Sequence, residues 1–129
     1  MAKEYDDIPG TVVFDADRSR EGYHLNMFCI SLRLAENREA FAADAEGYMG
    51  KYPMTEEQRQ AVRDRAWNRM LELGGNSYYT AKLAANDGIT FQELAAKMTG
   101  MASEEYREMM VNGGRAIEGN RYKHEWENK

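Results

Sequence analysis

Apolar residues recur at helical spacing along most of the chain. The first such segment, residues 19–35, is apolar nearly all round, with Leu25, Met27, Phe28, Cys29, Ile30, Leu32 and Leu34 on its several faces. A helix of this kind is buried on more than one side. The segment is therefore predicted to be either a central helix or a helix that meets a partner subunit.

A second helix is predicted from Asn37, a residue that can cap a helix N-terminus, to Pro53, which ends it. Its apolar stripe follows helical spacing and consists of Phe41, Ala45, Tyr48, Met49 and Tyr52. A third helix follows from Thr55, which forms a capping box with Gln58. It carries one stripe of Val62, Ala66, Met70 and Leu73 and a second stripe of Trp67 and Leu71.

The run Gly74-Gly75-Asn76 ends the third helix and is interpreted as a turn, with anion binding as the alternative. Residues 77–85 then predict a short fourth helix that carries Tyr79 and Leu83 on one face. The connection after this helix contains the turn residues Asn86, Asp87 and Gly88, so the chain reverses there.

The segment from Ile89 to Arg115 predicts two short helices joined by a tight turn at residues 99–101. Thr90 can cap the first of them with Glu93 three residues on. Ile89 and Leu94 occupy the two positions of a hydrophobic staple around that cap. Phe91 is therefore expected at the first helical position, on a helix end with a fixed backbone.

The second helix of this pair is predicted to begin at Ser103 as its N-cap, with glutamates in its first turn where the helix dipole favours them. Gly113-Gly114 ends it. The segment presents apolar side chains at defined angles, and these are Phe91, Leu94, Met98, Met101, Tyr106, Met109 and Met110. Such a surface suits covering or docking. Its methionines are interpreted as core packing, or alternatively as an adaptable contact surface.

These elements predict an all-α fold, an irregular, orthogonal array of five or six short helices. One helical domain is expected over residues 1–129. Residues 1–18 are predicted to form an extended arm around the β-like run at 11–14, with a short edge strand as the alternative for that run, and residues 116–129 a polar tail.

Composition narrows the function classes. The net charge of −5 argues against a duplex-binding protein, which needs a basic face. One cysteine excludes an intramolecular disulfide and favours a reducing compartment. The acidic N-terminus does not have the pattern of a signal peptide, and no stretch has the apolar length of a membrane span. A soluble, cytoplasmic protein that binds neither nucleic acid nor membrane is therefore expected.

The residues with chemical potential do not form a recognisable site. His24 is interpreted as a hydrogen-bonded core or interface histidine, because a general base needs a positioned partner. His124 lacks the second histidine of a zinc-protease helix four residues on. Cys29 is expected to be a buried, inert thiol, and the acidic pairs Asp6-Asp7 and Asp15/Asp17 to be solvated. No catalytic or metal-binding residue is therefore assigned to this chain.

Several short strings, in order, resemble the small (α) subunit of protocatechuate 4,5-dioxygenase, an extradiol ring-cleaving enzyme. The resemblance extends over roughly residues 6–122. The strings are Asp7-Ile8-Pro9-Gly10-Thr11, Gly22-Tyr23-His24-Leu25-Asn26, Ala35-Glu36-Asn37-Arg38-Glu39, Gly74-Gly75-Asn76-Ser77-Tyr78, Phe91-Gln92, Met98-Thr99-Gly100-Met101, Glu104-Glu105-Tyr106 and Gly113-Gly114-Arg115.

The resemblance implies an all-α subunit that pairs with a larger catalytic β subunit as an α2β2 assembly. In that family the β subunit holds a non-haem Fe(II) through two histidines and one carboxylate, opens the catechol ring next to the diol and gives a semialdehyde. The α subunit covers the mouth of that pocket. No cofactor is expected in this chain.

The family's phenylalanine near the pocket mouth corresponds to Phe91, so the resemblance implies a substrate-binding role for Phe91 as a lid. The interpretation of Phe91 as a core residue remains the alternative. Ala45, Gly47 and Ala66 depart from the residues usual in the family, which leaves gallate or a methylated relative open as the substrate. A stand-alone helical module that recognises a peptide or another enzyme is the alternative function.

Overall fold

The computed structural model describes residues 3–8 and 10–115. Over these residues the fold is all-helical and contains a short 3-10 helix at Glu4–Asp7 followed by nine α-helices. The helices are α1 Ala16–Glu21, α2 Tyr23–Ser31, α3 Ala35–Ala43, α4 Ala45–Met49, α5 Glu56–Asp64, α6 Trp67–Glu72, α7 Ser77–Asn86, α8 Phe91–Thr99 and α9 Ser103–Val111. The predicted all-α class is confirmed, although the helices are shorter and more numerous than the sequence indicated.

The helix α2 lies at the centre of the core, as its apolar surface predicted. Leu25, Phe28 and Cys29 are fully buried on it. It packs chiefly against α7, whose Leu83 is also fully buried. The partner-interface alternative is not needed to explain this helix, because the molecule's own core accounts for its buried faces.

The single helix predicted over residues 19–35 is wrong, since the chain breaks into α1 and α2 at Gly22. A side chain at Gly22 would overlap the backbone of Gly74, because an added Cβ would lie 1.9 Å from the Gly74 carbonyl oxygen. Asn26 fixes this crossing by donating to the Gly74 carbonyl at 3.1 Å and accepting from the Asn76 N–H at 2.8 Å. The 74–76 run is thus a turn at a close backbone contact.

The second and third predicted helices are also divided. The second breaks at Asp44, which caps α4 by accepting from the Gly47 N–H at 3.0 Å. This break leaves Ala45 exposed while the rest of its stripe is buried or half-buried. The third breaks at Arg65, which adopts a left-handed conformation with φ 51°. The break at Asp44 thus accompanies a local cap, whereas the Arg65 side chain pairs with Asp87, which lies 22 residues away.

The helix caps divide into correct and incorrect predictions. The Thr55–Gln58 capping box is confirmed, with reciprocal bonds of 3.1 and 3.0 Å. Asn37 is not a cap; it lies inside α3 and donates to the Ser31 carbonyl at 2.8 Å. Ser103 is not the N-cap of α9 either, because that position is Ala102.

The N-terminal arm is less extended than predicted. Residues 11–14 form neither helix nor strand, but the 3-10 helix and the start of α1 occupy parts of the 1–18 range. Lys3 Nζ bonds the carboxylates of Asp15 and Asp17, each at 2.7 Å, and Tyr5 donates to Asp15. The Lys3 and Tyr5 contacts hold the pKa of Asp15 well below its usual range. The expectation that this acidic pair is simply solvated is therefore wrong.

Among the described residues, no helix combines the length and apolar character that a membrane crossing requires. The predicted polar tail, with His124, lies outside the described residues.

Candidate functional site

Phe91 is the first residue of α8, and its side chain is 70% exposed. Its interpretation as a core residue is therefore wrong. A groove of about 570 Å³ lies between the α5–α6 break and α8, with Arg65, Trp67 and Lys97 among its lining residues, and Phe91 is not one of them. The ring thus stands on the outer surface of the domain, where a second surface can contact it.

The backbone at Phe91 is fixed by the predicted cap. The Thr90 Oγ accepts a hydrogen bond from the Glu93 N–H at 3.1 Å. The predicted capping box is not completed, because the Glu93 carboxylate accepts from the Thr90 hydroxyl at 3.1 Å and not from the Thr90 backbone N–H. The two residues predicted to form the staple flank this cap, and Leu94 is buried while Ile89 packs against the core. An exposed ring on a fixed helix end loses little backbone freedom when another surface covers it.

The turn before α8 is attached to the core through Arg65. The Arg65 guanidinium binds both carboxylate oxygens of Asp87, at 2.6 and 3.2 Å. It also donates to the Val62 carbonyl at 2.6 Å and lies 5.6 Å from the centre of the Phe41 ring. These contacts run from the core to the 87–90 turn, and so they position the start of α8.

The far end of α8 is attached separately. Asn68, the second residue of α6, donates from Nδ2 to the Met98 carbonyl at 2.9 Å. Gly100 then adopts the left-handed conformation with φ 74° and ends α8. Contacts at both ends therefore hold α8 to the body of the domain. Sequence reasoning identified Phe91 and its cap but missed Arg65, Asp87 and Asn68, which carry no local motif.

Two other candidate residues, His24 and Cys29, lie on α2 and not on α8. His24 is exposed on α2, and its ring lies at right angles to that of Tyr23 with a centroid distance of 5.1 Å. Its interpretation as a core histidine is therefore wrong, whereas the interface alternative stays a prediction. Cys29 is fully buried as predicted, and burial raises the pKa of its thiol to about 12. A thiol of this kind is a poor nucleophile at neutral pH.

The methionines of the 89–115 segment differ in burial. Met98, Met101 and Met109 are half-buried, whereas Met110 is 52% exposed. Core packing therefore does not account for Met110, and the contact-surface alternative remains for it.

The described residues do not fit an iron centre. No group of three or more histidine, cysteine, aspartate or glutamate side chains among them is arranged to hold a metal ion. Facial Fe(II) coordination needs two histidines and a carboxylate together, and of the two histidines in the chain only His24 is described.

The fold and this surface together define a small all-helical domain that presents a rigidly held aromatic side chain to the outside. Residues 25–111 match the family described as the LigA subunit of the aromatic-ring-opening dioxygenase LigAB. The match extends over more than half of the chain, and the chain belongs to this family. The resemblance seen in the sequence is thereby confirmed at the level of a ring-opening dioxygenase small subunit.

The chain is also similar to part of a longer curated protein. This chain is 26% identical over 99 residues to the gallate dioxygenase of Pseudomonas putida, and the aligned part is 77% of this chain. The chain spans only 29% of the length of that relative. Most of the relative therefore has no counterpart in this chain.

Proposed function

We propose that this chain is the capping subunit of a non-haem Fe(II) extradiol dioxygenase that opens the ring of protocatechuate by 4,5-cleavage with O2. In this role it covers the active-site mouth of a larger catalytic chain in an α2β2 assembly in the cytoplasm. The observation that carries the proposal is the placement of Phe91, a 70% exposed ring at the fixed start of α8, in a member of the LigA family.

Phe91 is proposed to contribute by covering the substrate and excluding water. An aromatic side chain presents roughly 150–250 Å² of surface. Burying its exposed portion at about 25 cal/mol per Å² stabilises the covered state by an upper limit of about 4 kcal/mol. A ring on a fixed backbone can restrict the orientation of a planar catechol. Such positioning of a substrate lowers the activation barrier of the reaction. Phe91 is thus proposed as a substrate-binding residue and not as an acid, base or nucleophile.

The larger catalytic chain is proposed to hold the Fe(II), since the described residues of this chain do not fit the metal. The family description supports this division, because it names a LigA subunit of a LigAB enzyme. The length of the gallate dioxygenase relative supports it as well, because the aligned part is under a third of that protein. This chain alone is accordingly proposed to be inactive.

Gallate is the second candidate substrate, because the curated relative is a gallate dioxygenase. Protocatechuate and gallate both present adjacent ring hydroxyls, so the same covering role applies to either. The two substrates differ by one ring hydroxyl, which a residue beside the pocket could contact.

Reconstitution tests the proposed function. The purified chain, the separately produced catalytic chain with Fe(II), and their mixture are compared by O2 consumption with protocatechuate and with gallate. We expect no turnover by this chain alone and a large rise in turnover when it is added to the catalytic chain. Ring cleavage by this chain alone, or no effect on the catalytic chain with either substrate, would contradict the proposal. Co-purification of some other enzyme would favour the stand-alone recognition module.

A further inference from the structure

One four-residue segment, residues 65–68, contacts α8 at both of its ends. This segment lies where α5 ends and α6 begins, and we refer to it as the break segment. Before α8, the Arg65 guanidinium binds both carboxylate oxygens of Asp87. At the other end of the helix, Asn68 Nδ2 donates to the Met98 carbonyl at 2.9 Å. The position of α8 therefore depends on the break segment at two separate points.

A groove separates the break segment from α8 between these two contacts. It has a volume of about 570 Å³, and its lining includes Arg65 and Asn68 from the break segment and Ile89 and Met98 from the opposite wall. The helices that pack chiefly against α8 are its neighbours in the chain, α7 and α9. Close packing therefore does not fix α8 on the side of the groove, and the polar contacts at its two ends take that role.

The backbone of the break segment has a conformation that its sequence does not favour. Arg65, the residue after α5, has φ 51° and ψ 42°. Glycine adopts this left-handed conformation at helix ends at little cost, whereas an L-residue such as arginine does not. Non-glycine residues keep such a conformation only where the surrounding contacts stabilise it, and they are concentrated at functional sites. In this conformation the Arg65 side chain reaches both Asp87 and the Val62 carbonyl.

A short hydrogen-bonded turn connects Asp87 to Phe91. The Asp87 N–H donates to the Ala84 carbonyl at 3.0 Å, and the Ile89 N–H donates to the same carbonyl at 2.9 Å. Thr90 follows as the N-cap of α8, and Phe91 is the first residue of that helix. Because only four residues separate them along the chain, a displacement of Asp87 also displaces the start of α8.

We propose that Arg65, Asp87 and Asn68 are positioning residues for Phe91 and thereby set the KM of the reconstituted enzyme for its catechol substrate. This inference rests on the proposed function, in which Phe91 covers the substrate. The three residues act through Phe91 and not by contact with the substrate. Residues that hold a substrate-contacting group in place matter because a displacement of about 1 Å already weakens productive binding.

Steady-state kinetics of the reconstituted enzyme with protocatechuate and with gallate test the inference. Asp87→Asn keeps the size of the side chain and removes the charge that Arg65 binds. We expect it to raise KM about fivefold with a smaller change in kcat, because the variant alters substrate orientation and not bond cleavage. Glu46→Gln is the matched control, because it removes a carboxylate on α4 that Arg63 of α5 binds at 2.9 Å. The control should leave both constants near wild type.

Combining Asp87→Asn with Phe91→Ala shows whether Asp87 acts through Phe91. We expect the double variant to have the same KM as Phe91→Ala alone, because the ring that Asp87 positions is then already absent. An equal rise in KM from Asp87→Asn with and without the Phe91 ring would overturn the inference. A wild-type KM in Asp87→Asn would overturn it as well.

Amide hydrogen exchange in the full-length chain tests the attachment of α8 without the catalytic chain. The Leu94 N–H, which donates to the Thr90 carbonyl at 2.9 Å, reports on the first turn of α8. We expect Asp87→Asn to speed its exchange about fivefold, because the loss of an ion pair makes local opening easier. Glu46→Gln should leave this exchange rate unchanged.

Asn68→Ala tests the contact at the other end of α8 in the same way. The Met101 N–H donates to the Ala96 carbonyl at 3.0 Å where α8 ends, and its exchange should be faster in this variant. Unchanged exchange at Leu94 in Asp87→Asn, or at Met101 in Asn68→Ala, would overturn the inference.

The proposed function and the positioning role fail on different results. Faster exchange in both variants together with an unchanged KM in Phe91→Ala would contradict the proposed function and the inference that rests on it. A raised KM in Phe91→Ala together with a wild-type KM in Asp87→Asn would contradict the positioning role alone.

Discussion

At the scale of single residues, Arg65 links the core to the surface that carries Phe91. Of the residues the structure describes, it is the one non-glycine with a positive φ, at 51°. The left-handed conformation costs an L-residue about 1–2 kcal/mol. The ion pair with Asp87, the bond to the Val62 carbonyl and the contact with the Phe41 ring offset that cost.

Substitutions at Arg65 separate these contributions. Arg65→Ala keeps the backbone strain and loses the contacts, so we expect the free energy of unfolding to fall by about 2 kcal/mol. Arg65→Gly loses the same contacts but adopts the left-handed conformation freely, and should be about 1 kcal/mol more stable than Arg65→Ala. Urea denaturation monitored by circular dichroism measures both. An alanine variant as stable as the glycine variant would show that the backbone is unstrained there.

The contrast between Phe91 and Arg65 shows what the sequence can predict at this scale. Phe91 was placed correctly because Thr90, Glu93, Ile89 and Leu94 form a local signal within six residues. Arg65 was missed because its partner Asp87 lies 22 residues away in the chain. No periodicity or cap motif reports such a contact.

At the scale of secondary-structure elements, the close crossing of Gly22 and Gly74 sets where helices end. It brings the α1–α2 junction against the α6–α7 connection. Gln58 reinforces it by donating to the carbonyls of Glu21 and Leu73, both at 3.0 Å. This buried side chain therefore holds both connections to α5.

Gly22→Ala tests the crossing. The added Cβ would meet the Gly74 carbonyl oxygen at 1.9 Å, so the backbones must separate, and we expect a loss of about 3 kcal/mol or more. Gly50→Ala is the control, because its Cβ would lie 3.3 Å from the nearest atom in an ordinary helical conformation. The control should change stability by less than about 1 kcal/mol. Thermal unfolding measures both, and equal melting temperatures for the two variants would argue against the close crossing.

Helix starts and ends were predictable where nearby capping or glycine residues determine them. The Thr55 cap, the start of α8 and the Gly113-Gly114 stop follow from residues within one helical turn. The breaks at Gly22, Asp44 and Arg65 were not predicted, because the apolar stripes continue through them. Tertiary contacts override periodicity at Gly22 and Arg65, and a local cap does so at Asp44, which is why the helices are shorter than their patterns.

At the scale of the whole molecule, the two sides of the fold differ in how far they are self-contained. Helices α4 to α6 neutralise much of their charge through ion pairs such as those of Arg63 and Arg69. Helices α8 and α9 instead expose the large apolar side chains of Phe91, Met110 and Val111. This exposed apolar surface supports the proposal that a partner contacts the 91–111 side of the fold.

Steady-state kinetics of Phe91→Ala in the reconstituted enzyme test this account most directly. Tyr78→Ala is the control, because Tyr78 is another exposed aromatic, 63% accessible, in the first turn of α7. We predict that Phe91→Ala raises KM about tenfold and alters the preference between protocatechuate and gallate, with a smaller effect on kcat, because a covering ring orients substrate and does not break bonds. Tyr78→Ala should leave both constants near wild type. Unchanged kinetics of Phe91→Ala with both substrates would contradict the account.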